Sequence, residues 1–216
     1  MKHLLAGLLL CTALPLVAQA QGTAAKASAD HIRAVTTRVD SAAIRANART
    51  TADWPSYGLD HAETRFSRLT QIDTANAKDL GLVWAYDLES NRGVEATPVV
   101  IDGIMYVTAS WSIVHAIDTR TGKRLWVFDP KVDRAYGYKG CCDVVNRGVA
   151  VYKGRVYVAS YDGRLFALDA ATGAKVWEVD TIVDRQYSYT VTGAPRVFKG
   201  KVIIGNGGAE YGVRGY

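Results

Sequence analysis

One stretch of this chain occurs twice at a fixed spacing, and that recurrence limits the fold more than any other feature. Gly103-Ile104-Met105-Tyr106-Val107 is followed by Ala116-Ile117-Asp118-Thr119-Arg120-Thr121-Gly122-Lys123-Arg124-Leu125-Trp126. Gly154-Arg155-Val156-Tyr157-Val158 is followed by Ala167-Leu168-Asp169-Ala170-Ala171-Thr172-Gly173-Ala174-Lys175-Val176-Trp177. Gly103 and Gly154, Asp118 and Asp169, Trp126 and Trp177 are each 51 residues apart. A third copy opens at Gly200-Lys201-Val202-Ile203-Ile204, and the sequence ends at Tyr216 before its A-x-D-x-x-T-G-x-x-x-W half. Repeats of this length built from short strands and turns read as propeller blades. Asp-x-x-Thr-Gly is turn chemistry: the Asp side chain bonds backbone N–H groups just ahead, and Gly accepts positive φ. The closing Trp is large enough to fill the gap between neighbouring blades. Trp84, after Leu80-Gly81-Leu82-Val83, reads as the closing Trp of an earlier, partial blade. The expectation is an all-β propeller with tryptophan-docking blades, strand-rich from Trp54 to the end. It is incomplete here, because two full repeats and two partial ones cannot close a ring. These Trp and Gly residues are scaffold and leave the function open.

Ahead of the repeats, residues 1–20 read as a signal peptide. Lys2 and His3 precede an apolar run from Leu4 to Val17, and Ala18-Gln19-Ala20 is a small-residue cleavage site. The bulky residues before Cys11 argue against lipidation. Residues 21–53 read as a loose leader with one short helix around Asp40 to Ala48. No later segment is long and apolar enough to be transmembrane, so the mature chain is expected in the periplasm. Hydrophobic residues make up 49% of the chain and charged residues 22%, which suits a packed core. The net charge of +5 is spread among Asp and Glu with no basic run, which argues against a nucleic-acid partner.

Four segments break the repeat, and they carry the chemistry. In Gly140-Cys141-Cys142-Asp143-Val144-Val145-Asn146-Arg147-Gly148 the two cysteines are adjacent. They lack CxxC spacing and a nearby His cluster, so zinc is a poor fit. Adjacent Cα atoms lie about 3.8 Å apart, less than the roughly 4.4–6.8 Å usual across a disulfide. A bond here would be strained and would present a rigid sulfur face; two free thiols are the alternative. An oxidising compartment favours the bond. Arg147 offers a planar fork suited to a carboxylate, or else a structural salt bridge. Glu95, in Gly93-Val94-Glu95-Ala96-Thr97-Pro98, sits in a strand-like apolar run, where it either serves a site or pairs with a nearby cation. Thr192 lies in Thr190-Val191-Thr192-Gly193-Ala194-Pro195. The glycine-rich Gly205-Asn206-Gly207-Gly208-Ala209-Glu210 lets backbone approach a ligand, without the GxGxxG spacing of a nucleotide loop.

Cys-Cys-Asp-x-Val-Asn-Arg-Gly, Thr-Gly-Ala-Pro and Gly-Asn-Gly-Gly-Ala-Glu together resemble the pyrroloquinoline-quinone (PQQ)-dependent alcohol dehydrogenases of the methanol/ethanol type. The likeness runs from about Trp54 to Tyr216, including Trp54-Pro55-Ser56-Tyr57-Gly58 and Glu63-Thr64-Arg65-Phe66-Ser67. It implies an eight-bladed propeller of which this chain holds the N-terminal blades. It also implies that Cys141 and Cys142 form a disulfide ring packed on the quinone. By the same resemblance Glu95, Arg147 and Thr192 bind PQQ, Gly207, Gly208 and Ala209 line it, and Glu210 is a Ca²⁺ ligand. The family oxidises alcohols with calcium as Lewis acid and passes electrons to a cytochrome c or similar acceptor. Its catalytic Asp, a further Asn ligand and the ring on the other quinone face are expected after Tyr216. No catalytic residue is therefore named, and the chain alone is expected to be inactive. A haem c version would carry CxxCH in a C-terminal domain, and no such motif stands in this sequence. The repeats also suit a non-catalytic periplasmic scaffold of the outer-membrane assembly type. That alternative leaves the Cys pair and the Gly-Gly-Ala-Glu run without a purpose.

Overall fold

The computed structural model describes residues 25–215, so the expected signal peptide at 1–20 lies outside the described residues. The leader carries two helices, α1 (Ala29–Thr37) and α2 (Ser41–Asn47). Asp40 caps α2 by accepting from the amides of Ala42 and Ala43, and Ile44 is its buried anchor. The reading of a loose segment before that helix is corrected by α1. Ser28 Oγ accepts from the His31 amide, and Ile32 and Thr36 turn inward. The end of α1 is tied to the second repeat, because Gly154 N donates to Thr36 O at 3.0 Å and Lys153 N to Val39 O at 2.8 Å. A cap, an inward apolar face and two backbone bonds are enough to order a segment whose composition alone looks loose.

Each full repeat is one four-stranded antiparallel sheet. The first is β1 (Val99–Ile101), β2 (Ile104–Thr108), β3 (Val114–Asp118) and β4 (Lys123–Phe128), paired in sequence order. The second is β5 (Ala150–Tyr152), β6 (Arg155–Ala159), β7 (Arg164–Asp169) and β8 (Lys175–Asp180). β9 (Arg196–Phe198) and β10 (Lys201–Ile203) open the third. The repetition extends to irregularities: register shifts fall at Ala116/Ile117 and at Ala167/Leu168, again 51 residues apart. Gly122 and Gly173 occupy the left-handed region at φ 68° and 73° and close the Asp-x-x-Thr-Gly turns.

The tryptophans dock as the repeat implies. The Trp126 indole donates to Ala170 O at 3.1 Å, and its ring lies over Gly173, where a Cβ would come within 2.6 Å of it. Trp84 repeats this on the preceding side, donating to Thr119 O at 2.7 Å with its ring over Gly122. Between the two sheets Val99, Tyr106, Val114, Ala116 and Trp126 pack on Val149, Val151, Val156, Phe166 and Leu168 as one core. Trp177 is 39% exposed, and all of β8 faces solvent.

One expectation is corrected. Between Pro55 and Pro98 there is no strand; Trp54 alone makes a bridge, to Val100. Residues 80–84 are extended, yet Leu82 and Val83 are 86% and 87% exposed. Alternation and β-branched residues do not make a strand without a second strand to accept its hydrogen bonds. Trp84 therefore docks on the first sheet from a segment that has none of its own.

Candidate functional site

The segments between strands, not the strands, build the site. They begin from a backbone seam joining successive repeats: Thr97 N donates to Arg147 O at 3.1 Å, and Arg147 N to Thr192 O at 2.9 Å. Gly148, at φ 132°, sits where a Cβ would press on Thr97 O at 3.0 Å, so only glycine lets the seam close. Beyond it, Thr190 and Gly207 pair as an isolated bridge, the Gly207 amide donating at 2.7 Å.

The side chains on this seam meet. Arg147 donates from Nη1 to Thr192 Oγ1 at 2.6 Å and from Nη2 to Glu95 at 2.8 Å. The two readings of Glu95 thus converge, since it is paired with a cation, and that cation is the arginine singled out for the site. Arg147, Thr192, Cys141, Cys142, Gly207 and Glu210 line one pocket of about 160 Å³. Gly208 and Ala209 do not line it. Gly208 is instead buried at φ 118° against Ser188 and Val213, and it sets the short turn that presents Glu210. The Glu210 carboxylate has no hydrogen-bond or ion-pair partner among the described residues. Cys141 and Cys142 are joined by a disulfide and both are exposed at the pocket. Larger grooves of about 240 and 420 Å³ lie elsewhere; the second borders Arg147 from the side of Tyr57 and Gly205. Neither brings the sulfurs together with a free carboxylate.

Four further residues line the pocket: Gly140, Asp143 and Thr190, which stand in the quoted motifs without an assigned role, and Tyr161, which escaped the sequence reading. Asp143 adopts φ 69° and accepts from Arg92 and from the amides of Gly93 and Val144. The Arg92 guanidinium is the main cause, with the Val144 amide second, that holds its carboxyl down at about 2. Tyr161 is fully buried, and burial raises its hydroxyl above the ordinary phenol value. Its ring packs edge-on to Trp111 and Tyr136 beneath Gly140. The missed signal was a bulky aromatic in a turn, where the first repeat has Ser110. Asn146, 1% exposed, donates to Ser112 Oγ at 2.9 Å and Ala159 O at 2.8 Å and accepts from the Gly148 amide at 3.0 Å. It fills its polar valences inward, so the chain on either side turns Asp143 and Arg147 to the pocket.

Sheets docked through tryptophans, with a bonded cysteine pair beside a seam arginine, define the propeller class of quinoprotein dehydrogenases. The family described as "PQQ: Glucose/ethanol/alcohol dehydrogenase, beta-propeller domain" matches residues 54–212, and the chain belongs to it. It is 70% identical over 179 residues to the quinohemoprotein alcohol dehydrogenase of Comamonas testosteroni, covering 83% of this chain and 25% of that protein. It is 66% identical over 164 residues to the 1-butanol dehydrogenase (cytochrome c) of Thauera butanivorans, covering 76% of this chain and 24% of that protein. The crystal structure of the Comamonas enzyme superposes with a TM-score of 0.85 over 87% of this chain and 28% of the other, at 69% identity. A europium-containing methanol dehydrogenase superposes at 0.73 over 79% of this chain and 31% of the other, at 36% identity. The chain thus spans about a quarter of the length of the curated relatives it matches. No helix among the described residues is long and apolar enough to cross a membrane.

Proposed function

We propose that this chain supplies one wall of a PQQ site in an enzyme that oxidises primary alcohols and passes the electrons to a cytochrome c. The observation that carries the reading is the convergence of the Cys141–Cys142 bond, Arg147, Thr192 and Glu210 on one pocket. PQQ is flat and bears three carboxylates. The residues fit it: the exposed disulfide offers a polarizable face, Arg147 a cationic fork and Thr192 a hydroxyl already oriented by that fork. Glu95 neutralises part of the Arg147 charge and keeps the guanidinium in place. Glu210 fits a hard cation, but only in part. Ca²⁺ takes roughly six to eight oxygens, and no group of three His, Cys, Asp or Glu among the described residues could hold a metal. When bound, PQQ would accept the two electrons lost at the alcohol carbon. The chain's own residues orient it and exclude water from one face.

The two relatives' names point to alcohols as donors and, for one, to cytochrome c as acceptor. Export to the periplasm and a haem c elsewhere in the working enzyme belong to the same proposal.

Titrating the chain with PQQ in the presence of Ca²⁺, read by tryptophan fluorescence, tests it. Saturable binding is expected, with no dye-linked alcohol oxidation by the chain alone. A hydrogen bond to a charged group contributes about 1.5–3 kcal/mol, so Arg147→Ala should weaken binding by about 10- to 100-fold. If Arg147→Ala titrates like the unaltered chain, the pocket is not the cofactor's.

A further inference from the structure

Ser112 holds a backbone conformation that its repeat mate assigns to glycine. The turn between β2 and β3 is closed by Ala109 N donating to Ile113 O at 2.8 Å; the turn between β6 and β7 is closed by Ser160 N donating to Arg164 O at 2.7 Å. Counting 51 residues on, Ser112 falls on Gly163. Gly163 is left-handed at φ 82°, where glycine is unstrained, while Ser112 is left-handed at φ 61° and follows Trp111 at φ 62°. Two successive non-glycine residues in this region are a local cost that glycine would remove.

The Ser112 hydroxyl offsets that cost. The residue is fully buried, and its Oγ accepts from Asn146 Nδ2 at 2.9 Å and from the Tyr161 amide at 3.0 Å. It thereby joins the turn of the first sheet, the segment bearing Asp143 and Arg147, and the turn of the second sheet. Trp111 adds a backbone bond from its amide to Val144 O at 2.8 Å. Gly163 has no Oγ to do this; the loop after the second sheet, residues 181–195, is held to its turn instead through the backbone, Val191 N donating to Tyr161 O at 3.1 Å and Thr181 N to Gly163 O at 3.0 Å.

We propose that Ser112 is a positioning residue: its hydroxyl, presented by a left-handed backbone, locks residues 143–148 against Tyr161 and so sets the Cys141–Cys142 face and Arg147 for a planar ligand bearing carboxylates. The identity of that ligand rests on the PQQ reading above; the locking does not.

Two variants separate locking from plain stability. Ser112→Ala removes the hydroxyl and leaves the strain, and Ser112→Gly removes both. Hydrogen exchange followed by mass spectrometry on the whole chain should show amides 143–148 and 161 exchanging about tenfold faster or more in both variants, with β2, β3, β6 and β7 unchanged. Ser112→Gly should melt no lower than Ser112→Ala, yet PQQ affinity should fall about tenfold or more in both. Unchanged exchange at 143–148 in Ser112→Gly, or faster exchange spread evenly over the strands, overturns the proposal. A loosened segment with undiminished PQQ affinity overturns it as well. An unaltered chain that binds no PQQ overturns the cofactor reading and the ligand half of this one, and the exchange pattern still decides the locking.

Discussion

Gly140→Ala puts the fit of the cysteine face to a direct test. Gly140 has φ −127° and ψ 156°, ordinary extended backbone that alanine adopts freely. Alanine also narrows the unfolded ensemble, a stabilising effect of about 0.4–1 kcal/mol. Space is the obstacle. A Cβ at 140 would stand 3.0 Å from Tyr161 Cζ and closer still to its hydroxyl oxygen, whereas ordinary contact begins at 3.4 Å. Tyr161 cannot retreat, because it is fully buried with its ring edge-on to Trp111 and Tyr136. The exposed Cys141–Cys142 segment must move instead, by several tenths of an ångström or more. A binding constellation tolerates displacement of only about 0.5 Å, so PQQ affinity should drop about tenfold, or about 1.4 kcal/mol. The urea midpoint should shift little, because the displaced loop is at the surface and the backbone gain offsets the crowding. Gly81→Ala, with nothing within 4 Å of its Cβ, is the control. Calorimetric titration of both variants decides the matter: if Gly140→Ala binds PQQ within twofold of Gly81→Ala, the cysteine face does not touch the ligand.

Three further outcomes follow from the fold and its charges. Trp126→Ala should cost about 3–5 kcal/mol in urea unfolding, the range for a buried Trp, and Trp177→Ala roughly half that or less, since Trp177 is 39% exposed; equal losses would mean that docking on Gly173 contributes nothing. Arg92 holds the folded-state Asp143 carboxyl below its usual 3.8, at about 2, so the stabilisation it contributes is present above 3.8 and is lost as pH falls through 2. Arg92→Gln should move the Asp143 midpoint, followed by carbon NMR, up towards 3.8. His115 sits 2% exposed with Nδ1 3.0 Å from the Tyr86 hydroxyl and Nε2 unpartnered, and burial lowers its affinity for protons below the usual 6.5. Its neutral form is favoured in the fold, so stability should fall as pH drops through 6.5. His115→Phe, which copies the Phe128–Phe166 pair one repeat on, should flatten that dependence.

The blades were legible because their cause is local and periodic. Turn chemistry at Asp118 and Asp169, apolar strands and a Trp at fixed distance recur at 51 residues, and each has one structural solution. What the repeat could not convey was pairing. Leu80 to Trp84 has the composition of a strand but no partner strand, so it remains extended, with Leu80 to Val83 exposed and only Trp84 docked. The helix α1 was hidden for the converse reason, since its order comes from Gly154 and Lys153, far along the chain. At the site, Cys141, Cys142, Arg147, Thr192, Gly207 and Glu210 were visible as breaks in the repeat. Tyr161 and Ser112 were not, because they lie inside the repeat, where their mates are Ser110 and Gly163, and only their contacts show what the exchange of residue does.

That difference explains how a repetitive scaffold acquires one asymmetric pocket. Thr97, Arg147 and Thr192 each lie just ahead of the first strand of successive sheets, stitched through their backbones. Arg147 and Thr192 therefore hold their places because the propeller holds together, and Glu95 hangs from the same seam through its pair with Arg147. The cysteine segment has no such support from the repeat. It is held by groups particular to it: Asn146, Ser112, Tyr161 and the Arg92–Asp143 pair. Changes in the seam should thus lower folding stability and binding together, while changes in the brace should lower binding first. Thr192→Val, which leaves the seam's backbone bonds and removes only the hydroxyl that Arg147 meets, should resemble a brace variant: weaker for PQQ, with its free energy of urea unfolding within about 1 kcal/mol of the unaltered chain. A large loss of stability in Thr192→Val with unchanged PQQ affinity would show that this division between seam and brace is wrong.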